Sequence, residues 1–346
     1  MEFQIIWFIL WGVLWAVYFM LEGFVVGTGM LHYYLGKTDS DKQVLIHTIG
    51  PVWDGNEVWL ITAGGATFAA FPTTYALMFS YLYSALLLLL FSLIIRGVSV
   101  EFRGKIGSDG WKKAWDMGIF AGSGLIALLL GVAFGNIFSG LPMDAAGYHG
   151  SLLQLLNPYG LLTGALFVLL FLVHGSVYVS IKTTGELSTK ANALAGKLWI
   201  GLLVIAVAFL VATAFTTKLY DNYLKTTVLL IIPALAVASL VWIRIFLALG
   251  KPIFAFASSC VTIVMVAFTG IVGLYPNLIP SSIDTAYSLT IFNTSSSPYT
   301  LKIMTIVAGI FVPIVIAYKI WVYRVFRARV TTDDVTNDVM KSDQGY

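Results

Sequence analysis

The sequence has 346 residues, of which 59% are hydrophobic and only 11% are charged, and its mean hydropathy is +0.89. A soluble domain carries about 25% charged residues, so this composition excludes an ordinary water-soluble globular protein. The formal net charge is +3, and the single cysteine, Cys260, excludes an intrachain disulfide and a cysteine metal cluster.

Apolar runs recur along the whole chain, and each is long enough for a helix to cross a hydrocarbon layer of about 30 Å. The first run, MEFQIIWFILWGVLWAVYFM, has neither a basic n-region nor a small-residue cleavage site, so it is predicted to be a span and not a removable signal. The pattern predicts an all-α, polytopic integral membrane protein with about nine transmembrane helices. They cover residues 4–34, 44–71, 74–97, 115–139, 159–181, 192–216, 226–249, 252–276 and 301–325.

The second predicted helix is the least regular, because Pro51, Asp54, Asn56 and Glu57 interrupt it. It is retained because the run VWLITAGGATFAAF that follows carries no charge. The distribution of basic residues also supports this second helix. Nine spans leave only Lys218, Lys225 and Lys302 on one side, and the other 17 of the 20 Lys and Arg on the opposite side. The positive-inside rule then places the N-terminus outside and the C-terminus in the cytoplasm.

The domain organisation follows from this count. Residues 1–325 are predicted to form one transmembrane helical domain, and residues 326–346 a short, solvated cytoplasmic tail. The tail changes from basic, with Arg327 and Arg329, to acidic, with Asp333, Asp334 and Asp338.

A charged residue within a span costs about 2.5–3.5 kcal/mol on insertion scales, and four of those in the predicted spans stand out. They are Glu22, Asp54, Glu57 and Arg96. Helix length along the chain predicts that Glu22 and Asp54 lie near mid-depth, about 22 Å and 18 Å from Lys37 and Lys42. One interpretation is a proton relay. Burial raises the pKa of a carboxyl group toward neutrality, so the group can alternate between its charged and neutral forms. The other is a buried Asp–Arg pair that only fixes helix packing. Glu57 also fits an ordinary polar helix start.

The histidines give no clear ligand set. His174 is the only one well inside a span, and without a second ligand a helix-packing histidine is favoured over a haem or metal ligand. His32 and His47 flank the first basic loop, and His149 lies in an outside loop. No pair has metal-ligand spacing on one helix. Small-residue patches at GFVVGTG (23–29) and AGGA (63–66) predict close helix approaches.

The stretch WDGNEVWLITAGGATFAAFP (53–72) resembles the signature of subunit II of the cytochrome bd-type quinol oxidases. The likeness spans essentially the whole chain. It continues in EGFVVGTGML (22–31), WDMGIFAGS (115–123), GVAFGN (131–136), LLNPYGLLTG (155–164), TTGEL (183–187), YPNLIPSS (275–282) and SLTIFNTSSSPYTLKIM (288–304).

This resemblance implies a multi-pass subunit of the bacterial cytoplasmic membrane that forms a heterodimer with a haem-bearing subunit I. The complex would oxidise quinol and reduce dioxygen to water with cytoplasmic protons. Haems b and d would be bound by subunit I and none by this chain, and small single-span accessory subunits are further candidate partners. The family's proton path would pass through Asp54, with Glu101 and Lys105 at its mouth and Arg96 as a basic neighbour. Where family members often carry a second acid, this chain has Val25.

Two other functions remain open at this stage. A proton- or cation-coupled secondary transporter would also explain Glu22, Asp54 and Arg96, although transporters usually show repeated halves with broken helices. A haem-binding catalytic subunit would rest on His174 alone.

Overall fold

A computed structural model describes residues 2–335, and most of them lie in long helices. Asp338 and Lys341, which belong to the predicted tail, fall outside the described residues. The helices are α1 (Glu2–Met30), α2 (His32–Leu35), α3 (Asp39–Ile49), α4 (Trp53–Ala70), α5 (Pro72–Tyr81), α6 (Tyr83–Phe102), α7 (Asp109–Ser139), α8 (Pro158–Lys182), α9 (Gly185–Thr216), α10 (Asp221–Lys225), α11 (Ile231–Ala248), α12 (Pro252–Leu274) and α13 (Pro298–Val325).

Two short antiparallel hairpins lie in the loops. Strand β1 (Met143–Asp144) pairs with β2 (Gly147–Tyr148), and β3 (Asn277–Ile279) pairs with β4 (Leu289–Thr290). The two loops meet where the amide of Leu141 donates to the carbonyl of Pro280. The start of α1 reaches the same region, because Gln4 donates to Ser295 over 2.7 Å. We call this the hairpin end of the bundle and the opposite one, where α2, α3 and the start of α7 meet, the basic end.

Within residues 2–335, eight helices are long and apolar enough to cross a membrane: α1, α6, α7, α8, α9, α11 with the turn before it, α12 and α13. Helix α4 is not among them. It has 18 residues, but Asp54, Asn56 and Glu57 lower its hydropathy. It still joins the two ends: Trp53 contacts Glu101 at the basic end, and Ala70 accepts a hydrogen bond from Ser296 at the hairpin end.

Two predicted helices differ from the observed ones. The second is divided into α3 and α4 by a turn at residues 50–52, because the proline at 51 cannot donate a helical hydrogen bond. The third corresponds to α5 and α6, and α6 continues past Arg96 to Phe102. Arg96 therefore lies inside a helix and not at its end.

Helix α8 is the centre of the bundle and packs against α1, α7, α9 and α12. Its crossing with α1 is close. A Cβ added to Gly27 would lie 1.9 Å from the carbonyl oxygen of Phe171, and one added to Gly175 would lie 2.5 Å from the Gly27 backbone. The first predicted small-residue patch thus makes the expected contact. In the second, Ala63 is fully buried in the core, while nothing lies within 4 Å of a Cβ at Gly64 or Gly65.

The start of the tail differs from the solvated segment predicted for it. The amide of Val330 donates to the carbonyl of Lys182 over 2.7 Å, and the Lys182 ammonium donates to the carbonyls of Phe326 and Ala328. Val335 is only 3% exposed and joins an apolar cluster with Leu35. Residues 326–335 therefore pack across the basic end, while the side chains of Asp333 and Asp334 stay exposed.

Candidate functional site

One cluster of buried charges lies between α1, α4 and α6. The Arg96 Nη2 lies 2.6 Å from the Glu22 Oε1 and also forms an ion pair with Glu57. The side chains of Arg96 and Glu22 are 1% and 2% exposed, and that of Glu57 is 17% exposed. The Tyr18 hydroxyl donates to the other Glu57 oxygen over 3.4 Å. We call Tyr18, Glu22, Glu57 and Arg96 the Arg96 cluster.

The neighbouring helices leave room for this guanidinium. A Cβ at Gly122 of α7 would come within 3.0 Å of the Arg96 Cβ, so only glycine lets α7 pack this close to α6. The Trp53 ring lies 5.1 Å from the Arg96 guanidinium carbon, which is a cation–π distance. The sequence therefore places a glycine and an aromatic ring around a charge that lipid would not tolerate.

The charges of this cluster do not balance. If both carboxylates were ionised, one Arg would face two negative charges inside a low-dielectric interior, and an uncompensated buried charge is expensive. Both oxygens of Glu22 are buried, and its carboxyl group lies within hydrogen-bond reach of that of Glu57. This arrangement can hold and release a single proton between the two carboxylates.

The predicted proton-path residues lie at the basic end. Asp54 was predicted near mid-depth, but it is exposed in the first turn of α4, because the turn at residues 50–52 ends α3 and a new helix starts there. Glu57, one turn later, is the residue that reaches Arg96. The Lys319 ammonium of α13 donates to the carbonyl of Gly55, beside Asp54. Glu101 is exposed near the end of α6 and accepts a hydrogen bond of 3.2 Å from the Trp53 indole.

Lys105 is exposed in the loop after α6. Trp53 therefore brings the Asp54 segment to Glu101, and Glu101 and Lys105 lie on the same end of the bundle. Of the six predicted site residues, the structure joins Glu22, Glu57 and Arg96 directly and places Asp54, Glu101 and Lys105 at the bundle surface.

A second charged cluster was missed from the sequence. The buried Asp116 of α7 accepts from His32 over 2.6 Å, from Lys42 over 2.7 Å and from Arg103. Asp39 joins Arg103 to Lys112, with N–O distances of 2.6 and 2.9 Å. We call these six residues the Asp116 cluster. Its sequence signal was the WDMG segment, in which the acid falls in a predicted helix start beside basic residues.

The environment of the Asp116 cluster fixes its protonation states. Burial lowers the pKa of His32 in spite of its hydrogen bond to Asp116, so the ring is neutral and its Nε2 donates to the carboxylate. Partial burial raises the pKa of Asp39, but hydrogen bonds from Lys112 and Arg103 outweigh it and lower the pKa overall. The cluster ties α2 and α3 to the ends of α6 and α7.

His174 is fully buried, and both of its ring nitrogens have partners. Nδ1 lies 2.7 Å from the Ser259 hydroxyl, Nε2 lies 3.0 Å from the carbonyl of Met20, and the ring stacks on Phe256 at 4.8 Å. These contacts support a helix-packing role. Within residues 2–335, no three His, Cys, Asp or Glu side chains gather into a group that could hold a metal ion.

Comparison with known proteins places the chain in a family. The family profile described as cytochrome bd terminal oxidase subunit II matches residues 3–326. The chain is 38% identical over 327 residues to the cytochrome bd ubiquinol oxidase subunit 2 of Bacillus subtilis (strain 168), covering 94% of this chain and 96% of the relative. It is 36% identical over 367 residues to the cytochrome bd-I ubiquinol oxidase subunit 2 of Escherichia coli (strain K12), covering 96% of both.

The fold agrees with that placement. A chain in the solved structure of bd oxidase from Geobacillus thermodenitrificans superposes with a TM-score of 0.77 at 18% sequence identity, and the match covers 94% of this chain and 99% of that one. Because the profile covers nearly all of the described residues and both relatives match almost end to end, the chain belongs to the cytochrome bd terminal oxidase subunit II family.

Proposed function

We propose that this chain is the haem-free subunit II of a bd-type terminal quinol oxidase, which stabilises the haem-bearing subunit I and delivers cytoplasmic protons for the reduction of dioxygen to water. Family membership and the names of its relatives, which are ubiquinol oxidase subunits, support the coarse part of this proposal. They also favour the oxidase subunit over the secondary transporter that the intramembrane charges alone allowed.

One observation carries the proton-delivery part: Arg96 binds two carboxylates where one would neutralise it. A structural ion pair needs only one acid, whereas a proton-conducting site needs a group that changes its charge without leaving an unpaired ion buried. The Glu22–Glu57 pair meets that requirement. Protonation of either carboxylate leaves a neutral cluster, and loss of that proton leaves a single negative charge held next to Arg96.

The remaining predicted residues fit a path that leads toward this cluster. Glu101 and Lys105 would collect protons at the basic end, where exposed charges exchange rapidly with water. Asp54 is exposed at that surface, one helical turn before Glu57 along α4. In this proposal Asp54 passes protons and Arg96 sets the charge balance of the acids deeper in the bundle.

The orientation proposed for the chain rests on the positive charges at the basic end. Basic residues of five connecting segments gather at the basic end, so we assign it to the cytoplasm and the N-terminus to the outside of the bacterial cytoplasmic membrane. With α4 counted as a crossing, the chain spans the membrane nine times. Residues 1–325 then form the transmembrane domain, and residues 326–346 the cytoplasmic tail.

In this proposal, subunit I binds haems b and d and contains the quinol site. In support of this, the one histidine deep in a span, His174, uses both ring nitrogens in protein contacts. Small single-span accessory subunits are further candidate partners.

The proposal is tested by purification of the complex through an affinity tag on this chain. We expect a haem-bearing subunit to copurify, with a haem d band in the reduced-minus-oxidised spectrum and quinol-dependent oxygen consumption. A chain that purified stably without any haem-bearing partner would rule out the oxidase role. Cation-driven substrate uptake by liposomes that hold this chain alone would identify it as a transporter instead.

A further inference from the structure

Three exposed cations lie close to the basic end on α9, α11 and the turn after α11. They are Lys197 of α9, Arg244 near the end of α11, and Lys251 in the turn that leads into α12. Within residues 2–335, none of the three side chains forms an ion pair or a hydrogen bond. Their charge is therefore not balanced by the part of the chain that the structure describes.

The helices that carry these cations supply almost no negative charge. Helices α9, α11 and α12 contain a single acid, Glu186, and its carboxylate lies 2.8 Å from the Lys190 ammonium one turn further along α9. The sequences of α11 and α12 contain no acid at all. An anionic partner for Arg244 must therefore come from outside these three helices.

The Arg244 guanidinium lies between α9 and α11. A Cβ added to Gly196 of α9 would lie 3.0 Å from the Arg244 Nη1, so the arginine reaches across from α11 to the point where α9 has no side chain. Arg244 is four residues before the end of α11 at Ala248, a rise of about 6 Å along the helix. With the basic end at the membrane surface, this depth is near the lipid headgroups, toward which arginine side chains extend.

An apolar cleft continues from Arg244 toward the hairpin end. Helix α9 packs closely on α8, and α11 packs closely on α12, but α9 and α11 meet only loosely. The faces that carry Gly196 and Arg244 continue along both helices as exposed aliphatic side chains. These are Ile200, Val204 and Val207 of α9, and Val237 and Val241 of α11. We call the space between these two faces the α9–α11 cleft.

A small cavity of about 80 Å³ lies in the floor of the α9–α11 cleft. Leu202 and Ala206 of α9 and Leu240 of α11 line it. The exposed Val237 is also part of its wall, so the cavity opens into the cleft. Apolar cavities stay dry and take apolar groups, so this one suits the methylene groups of a hydrocarbon chain.

We infer that the α9–α11 cleft is a binding site for one anionic phospholipid. Arg244 binds the phosphate through its guanidinium group, Lys197 and Lys251 add positive charge around the headgroup, and an acyl chain lies along the cleft. Basic pockets between helices on the cytoplasmic side of a membrane bind acidic lipid headgroups in this way. The site uses none of the residues proposed for proton delivery, so it holds or fails independently of that function.

The site is tested with phosphatidylglycerol that carries a diazirine in one acyl chain. The probe is added to phosphatidylcholine vesicles that hold the intact complex, and cross-linked peptides of this chain are quantified by mass spectrometry after illumination. We expect cross-links within residues 200–211 and 237–241. The matched photoactivatable phosphatidylcholine, whose headgroup is zwitterionic, should label these residues much less. Equal labelling by the two lipids would overturn the site.

Replacement of Arg244 tests the headgroup contact. One basic side chain near the membrane surface changes the binding of an anionic lipid by about fivefold, so Arg244→Gln should lower phosphatidylglycerol cross-linking by about that factor. Arg244→Lys, which keeps the charge, should retain more of it. Lys113→Gln is the matched control, because Lys113 is an exposed cation of the same end on α7 and should leave the cross-linking unchanged. Unchanged cross-linking in Arg244→Gln would overturn the headgroup contact.

The haem content of each purified complex separates a lipid site from a contact with subunit I. Arg244 has no partner within residues 2–335, so Arg244→Gln should leave haem content and copurification of subunit I unchanged. Loss of subunit I from this variant would identify the cleft as a subunit contact and overturn the lipid site.

Filling of the cleft tests the position of the acyl chain. Val237→Trp adds a large ring to the wall of the small cavity and should lower the cross-linking of α9 and α11. Val261→Trp is the matched control, because Val261 is exposed on α12 and does not line this cavity. Cross-linking of the Val237→Trp complex at the level of the Val261→Trp complex would overturn the placement of the chain in the cleft.

Discussion

The Arg96 Nη2 lies 2.6 Å from the Glu22 Oε1, which joins the C-terminal half of α6 to the C-terminal half of α1 in the bundle interior. Both side chains are nearly inaccessible to solvent, and neither could remain charged there alone. This pair, with Glu57 as a third member, is therefore both a helix-to-helix contact and the deepest site at which the chain can hold a proton.

Replacement of Arg96 should damage assembly before it changes turnover. Arg96→Gln leaves two acids without a cation, and removal of one partner from a buried ion pair costs about 3–5 kcal/mol. We expect a lower yield of assembled complex and lower haem content per membrane protein. Arg96→Lys, which keeps the charge, should retain more of both. Unchanged yield and haem content in Arg96→Gln would contradict a structural role for the pair.

Asp54→Asn should lower oxidase turnover and leave assembly and haem content intact, because Asp54 is exposed and carries no buried ion pair. The expected loss is at least about tenfold, since a positioned proton-transfer group commonly contributes roughly 10²–10⁴-fold. Oxygen consumption of the purified complex measures it. Asp109→Asn, at an exposed position of the same end, is the matched control. Loss of haem would instead show that Asp54 holds the structure.

Replacement of Lys105 should be milder. Lys105 is exposed after the end of α6, where water and neighbouring charges replace a proton-collecting group and salt screens its field. We expect Lys105→Gln to retain most of the oxidase turnover under conditions in which Asp54→Asn loses it. A loss as large as that of Asp54→Asn would assign Lys105 a specific place in the path.

Asp116→Asn should destabilise the basic end without a direct effect on the proton path. The substitution removes the negative charge that binds Lys42, Arg103 and the Nε2 hydrogen of His32, and leaves the buried Arg103 with only the half-exposed Asp39. The thermal midpoint of the detergent-solubilised complex should fall, while turnover per assembled complex at low temperature stays close to that of the wild type. Asp109→Asn, at an exposed position of α7 outside the cluster, controls for loss of an acid from that helix.

Gly27→Ala tests the closest helix crossing. Its Cβ would lie 1.9 Å from the Phe171 carbonyl oxygen, so α1 and α8 must separate, and overpacking of this kind costs about 1–3 kcal/mol. We expect a lower thermal midpoint. Gly124→Ala is the matched control, because nothing lies within 4 Å of a Cβ there and alanine favours the helix by up to about 1 kcal/mol. Equal midpoints for the two variants would contradict the close crossing.

Most of the architecture was predictable from the sequence because lipid imposes it. A chain with few charges and long apolar runs must satisfy its backbone within helices, so an all-α, multi-pass architecture and approximate helix bounds follow from hydropathy. The likeness of the WDGN block to its family, and the presence of acids and a basic residue within spans, also required only the sequence. The Gly-rich patch of α1 was correctly predicted to allow a close contact, because only glycine lacks the Cβ that would prevent it.

The tertiary structure decided which charges meet. Hydropathy could not show that α6 continues past Arg96, nor that Arg96 takes both Glu22 and Glu57 as partners while Asp54 stays at the surface. The Asp116 cluster escaped prediction because its members come from two stretches far apart in the chain, residues 32–42 and 103–116, and no local pattern joins them. Helical periodicity fixes the face on which a side chain lies, but the partner on that face depends on how neighbouring helices pack, which only the folded chain determines.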